Sequence, residues 1–134
     1  MGIAEININW TDKVKQEAQL AMKIRFGQGQ IAASSLRGSK EGYLPGGTSI
    51  ITRGRMTGRI IRRGADEMVR YAWIVLNGKN VKQVMIISEY RTCKANLKSG
   101  PHTAYMQQVK HLMKRGIVAP NPRKELLNDL KRMI

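Results

Sequence analysis

The sequence predicts an α/β fold in which strands are sandwiched between layers of other structure. Two nearly continuous apolar runs, residues 71–76 and 84–87, read as strands covered on both faces. Segments with apolar residues at helical spacing stand on either side of them, at 12–26 and beyond Thr103. At 134 residues, 42% apolar and 25% charged, the chain is of single-domain size. A chain of that length buries roughly two-thirds of the surface it exposes when unfolded.

Taken in order, Ile3, Glu5, Asn7 and Asn9 alternate with Ala4, Ile6 and Ile8, which predicts a strand over 3–8 with Glu5 and Asn7 on its polar face. Thr11 is placed to cap a helix running to about Phe26, with Val14, Ala18, Ala21, Met22 and Phe26 on one side. Gly27-Gln28-Gly29 ends that helix, residues 31–35 offer a second strand, and 38–47 form a loop. Residues 48–53, 58–62, 71–76 and 81–90 then read as four successive strands. Asn77-Gly78-Lys79-Asn80 makes a hairpin turn between the last two. A second loop covers 93–102. From Thr103 to Arg115 the spacing of Tyr105, Val109, Leu112 and Met113 predicts a helix, stopped by Gly116. Asn121 and Pro122 read as the N-cap and first position of a last helix, with Leu126, Leu127, Leu130 and Ile134 as its apolar stripe.

Charge narrows the function. There are 24 Lys and Arg against 9 Asp and Glu, a formal net charge of +15. The excess is +2 over residues 1–50, +8 over 51–100 and +5 over 101–134. Arg53, Arg55, Arg59, Arg62 and Arg63 fall within eleven residues that hold no acid. An anionic polymer is the partner such a segment fits, because each phosphate neutralised releases condensed counterions. Arginine's planar fork also matches phosphate oxygens. A merely solubilising surface is the plainer alternative.

Other classes find little support. The longest fully apolar run, residues 72–76, is far short of the 18 or more needed to cross a bilayer. The N-terminus carries no signal-peptide pattern, and the single cysteine, Cys93, forms no internal disulfide, so an intracellular setting, cytoplasmic or nuclear, is expected. His102 and His111 lack the spacing of a zinc site. Ser34, Ser35 and Ser49 have no nucleophile-elbow context, and the glycine-rich stretches have no Walker lysine. Glu5 stands apart. A carboxylate on a strand flanked by isoleucines calls for a cation, either an arginine or a hard divalent metal.

The run Glu5-Ile6-Asn7-Ile8-Asn9-Trp10 resembles the Glu-x-Asn-x-Asn-Trp segment of retroelement-associated members of the endonuclease/exonuclease/phosphatase superfamily. Tyr43-Leu44-Pro45-Gly46-Gly47-Thr48 resembles their Pro-Gly-Gly-Thr lead into a central strand. Ser88-Glu89-Tyr90-Arg91-Thr92-Cys93 is similar to their Thr-Ala-Tyr-Arg-Val-Cys segment. Residues 100–108 and 121–127 fit the loop and helix that follow, so the resemblance runs along nearly the whole chain in order.

The resemblance implies part of a four-layer α/β sandwich, truncated at both ends, occupying residues 1–134 as a single partial domain. It implies a magnesium-dependent phosphodiesterase acting on DNA. Glu5 would be the metal ligand, Tyr90 would contact the target phosphate, and Arg91 would steady the loop or backbone. Asn7 and the Arg53–Arg63 segment would lie against the nucleic acid, DNA rather than RNA. Departures are equally specific. The family's Gly-Asp-Phe-Asn strand and Ser-Asp-His triplet have no counterpart, Ala4 replaces the usual Thr, and Glu89 puts an acid beside Tyr90. Without groups to hold nucleophile and phosphate in line, weak or no cleavage is expected. The alternative is a non-catalytic nucleic-acid-binding protein. Strands lacking their usual neighbours would leave open edges, so self-association or a covering partner chain is expected too.

Overall fold

The computed structural model describes residues 2–4, 12–27, 29–34, 47–93 and 103–133. They form a mixed α/β arrangement that divides into two compact units, Met1–Tyr90 and Arg91–Ile134.

The first unit begins with β1 (Gly2–Ala4) and α1 (Asp12–Phe26), which Gly27 ends in a left-handed conformation at φ 76°. Strands β2 (Gly29–Ser34) and β3 (Thr48–Arg53) follow. Strand β3 lies between the other two, giving an antiparallel sheet of order β1-β3-β2. A 3₁₀ turn over Gly54–Arg59 leads into β4 (Ile60–Ala65), then β5 (Tyr71–Asn77) and β6 (Gln83–Glu89), a second antiparallel sheet of order β4-β5-β6. Between the sheets lie Ala32 of β2, Ile50 of β3, and Ala72, Ile74 and Leu76 of β5, with Ile60 packed against them. These β5 residues alternate, as the pleat requires of one face.

Position in the sheet decides how far each apolar run is buried. Central β5 buries Ile74, Val75 and Leu76 in succession, as a doubly covered strand should. Edge strand β6 does not: Val84 is 51% and Ile86 39% exposed, although both sit opposite core residues of β5. The expectation that 84–87 is covered on both faces is corrected here. The hairpin joining β5 and β6 stands where predicted, but its loop is longer than a tight turn. Asn77 pairs with Gln83, Gly78 N–H donates to Lys82 O at 2.7 Å, and Asn80 and Val81 are left-handed.

Strand β4 starts later than predicted because Gly54–Arg59 coils first. Thr57, the buried residue of that turn, donates its hydroxyl to Thr52 Oγ1 of β3 at 3.5 Å. Ile60 then pairs with Leu76 and Arg62 with Val75, leaving Ile61 as an extra residue in a β-bulge. Further along, Gly64 lies opposite Trp73, and a Cβ built on Gly64 would come within 2.6–2.8 Å of the indole. Only glycine leaves room for that ring.

In the second unit, α2 (Ala104–Lys114) is capped by Thr103, whose Oγ1 accepts Met106 N–H at 3.3 Å. Helix α2 buries Ala104, Gln108 and Leu112, a stripe one position away from the predicted one, while Met113 is 58% exposed. Gly116, at φ 83°, ends it, and Ile117 N–H returns to Leu112 O at 3.2 Å. Helix α3 (Pro122–Met133) buries Pro122 and Leu126, with Leu127 turned outward at 46% exposure. Asn121 Oδ1 caps it by accepting from Arg123 and Lys124 N–H at 3.1 and 3.4 Å.

Candidate nucleic-acid interface

Arg53, Arg55, Arg59, Arg62 and Arg63 are all exposed, spread from the end of β3 through the 3₁₀ turn into β4. Thr57 anchors the turn inward, so the flanking arginines are left outside. The bulge at Ile61 sets the aim of the last two. Unbroken alternation would put Arg62 on the face of Ile60. The extra residue instead pairs Arg62 with Val75 and Arg63 with Ile74. Arg62 accordingly reaches Gln83 Oε1 at 3.4 Å across the sheet, while Arg63 donates to Ile31 O of β2, also at 3.4 Å. The segment is thus acid-free and its arginines exposed, but Arg62 and Arg63 lie on opposite faces of β4.

Tyr90 directly follows β6 and is half-buried, with its N–H donating to Arg70 O at 2.6 Å. Arg91 belongs to the second unit and is exposed. It lines a cavity of about 330 Å³ together with Tyr105, Asn121, Arg123, Lys124 and Leu127. Glu5 and Asn7 lie outside the described residues, as do Thr11, His102 and most of the 38–47 loop. Among the described residues no three His, Cys, Asp or Glu side chains converge to hold a metal ion. The magnesium implied for Glu5 therefore has no donor set among them. His111 is half-buried on α2 and Cys93 is exposed. No helix among the described residues is long and apolar enough to cross a membrane.

One charged pair was not anticipated. Arg70 is 1% exposed and forks onto Asp66, Nε to Oδ2 at 2.8 Å and Nη2 to Oδ1 at 2.9 Å. Asp66 Oδ2 also accepts the N–H groups of Met68 and Arg70, at 3.0 and 3.2 Å. The guanidinium lies 5.6 Å from the centre of the Tyr71 ring. This pair organises the β4–β5 connection and is structural in character. Its signal in the sequence was an acid four residues before an arginine, with apolar Met68 and Val69 between them.

No protein-family profile, curated protein or solved structure matches the chain.

Proposed function

We propose that the chain is a basic nucleic-acid-binding protein that grips the phosphate backbone, with DNA its first partner. The observation that carries this reading is the acid-free segment Arg53–Arg63, whose five arginines are all exposed. Exposed guanidinium groups exchange condensed counterions for phosphate contacts, which gives affinity without base recognition. Partial membership of the four-layer endonuclease/exonuclease/phosphatase sandwich, an intracellular setting, and a second copy or partner chain on the open sheet edges belong to the same proposal. The edge strands β1, β2, β4 and β6 supply pairing positions for such a partner.

The test combines binding and cleavage. A fluorescent DNA duplex and an RNA duplex are titrated with the full chain at low and high salt. Supercoiled plasmid is incubated with the protein in magnesium, in EDTA, and with the Glu5→Ala variant. Salt-sensitive binding without nicking is the expected result. Nicking that needs both magnesium and Glu5 would instead make this the metal-dependent phosphodiesterase that the resemblance implies. Absence of binding at low salt would sink both readings.

A further inference from the structure

We propose that the cavity at the start of α3 binds a mononucleotide, free or at the end of a nucleic-acid strand. Its volume of about 330 Å³ is at the lower end for small-molecule sites, large enough for one nucleotide and too small for a duplex. Arg91, Arg123 and Lys124 supply three cations, and among the described residues no acid stands in the lining. The ligand is therefore anionic.

Arg123 Nε is buried and has no hydrogen-bond partner among the described residues. Burying a guanidinium N–H without an acceptor costs free energy, and a rotation of the side chain that brings it to a phosphate oxygen in the cavity would recover that cost. The backbone at the helix start is not the binding element. Pro122 has no N–H, those of Arg123 and Lys124 donate to Asn121 Oδ1, and that of Glu125 donates to Asn121 O at 3.0 Å. The phosphate is held by side chains, two planar forks and one point charge. Tyr105, half-buried, and Leu127 add ring and aliphatic surface that a bare phosphate would leave uncovered and that a base or sugar would fill. The site is independent of the duplex-binding reading, since none of these residues belongs to the Arg53–Arg63 segment.

Calorimetric titration of the full chain with AMP, adenosine, inorganic phosphate, and a short single strand with or without a 5′-phosphate tests the assignment. One saturable AMP site per chain is expected, with adenosine and phosphate each weaker by at least about tenfold. Arg123→Gln, Lys124→Gln and Arg91→Gln should each weaken AMP binding, by about tenfold for the arginines, while Lys131→Gln, exposed at the other end of α3, leaves it unchanged. Lys124 and Arg91 are exposed, so their variants report on binding even if Arg123→Gln perturbs the helix. Tighter binding of the strand with its 5′-phosphate than without it, lost in Arg123→Gln, identifies a strand end as the ligand, and equal binding of the two strands identifies the free nucleotide. The proposal is overturned if AMP does not saturate, if adenosine or phosphate alone binds as tightly, or if Lys131→Gln costs as much as Arg123→Gln.

Discussion

The Asp66 carboxylate receives the Arg70 guanidinium through two parallel hydrogen bonds, at 2.8 and 2.9 Å, with the two side chains only 8% and 1% exposed. The same carboxylate oxygen that takes Arg70 Nε also takes two backbone N–H groups of the turn. Arg70 O in turn accepts Tyr90 N–H. One acid therefore ties together the connection between β4 and β5 and the residue that follows β6.

Asp66→Ala is expected to cost about 3–5 kcal/mol, because it strands a buried guanidinium and removes the acceptor of two N–H groups. Urea unfolding monitored by circular dichroism measures it. The double variant Asp66→Ala/Arg70→Met should recover part of that loss, since the stranded charge is then gone. A double variant no better than the single would show that the turn's backbone bonds dominate.

Gly64→Ala should destabilise by about 1–3 kcal/mol through overpacking, since the new methyl would meet the Trp73 ring well inside van der Waals contact. The near-ultraviolet circular dichroism of the indole should change with it. An unchanged spectrum at full stability would mean that the ring has another place to go.

Thr103→Ala removes the side-chain acceptor at the start of α2 and should cost about 1 kcal/mol. Thr103→Asp, which keeps an acceptor there, should restore most of it. Thermal denaturation of the three proteins side by side is sufficient to rank them.

Replacing Arg55, Arg59 and Arg62 together by Gln should reduce the slope of log affinity for duplex DNA against log salt by about 2–3, close to one unit per lost phosphate contact. A slope that does not move would place the phosphate contacts elsewhere on the chain. Binding isotherms at four or five salt concentrations give the answer directly.

Much of the order of elements was legible in the sequence, because it rests on local chemistry. Residues 48–53 were predicted as a strand and β3 spans Thr48–Arg53; Asn121 was predicted to cap α3 and does so. The misses came where neighbours outweigh local pattern. Nothing in Gly58-Arg59-Ile60-Ile61 announces that a 3₁₀ turn runs to Arg59 or that Ile61 is surplus in the pairing. Helix α2 turns Gln108 inward and Met113 outward, a rotation that hydropathy alone reads the other way. The exposed arginines were legible from charge. The cavity was not, because Arg91, Tyr105 and Arg123 are distant in sequence and the fold of the second unit brings them together.

The surplus residue in β4 turns a matter of counting into a matter of charge placement. Were Ile61 drawn into the ladder opposite Val75, Arg62 would face Ile74 and Arg63 would cross to the opposite face; were it deleted, Arg62 would stay opposite Val75 and Arg63 opposite Ile74. A single-codon deletion there, conserving every other side chain, would thus remove the bulge and leave the cationic groups on their present sides of the strand. Loss of this one residue should be tolerated far better than an insertion beside it, in keeping with the exposure of Ile61.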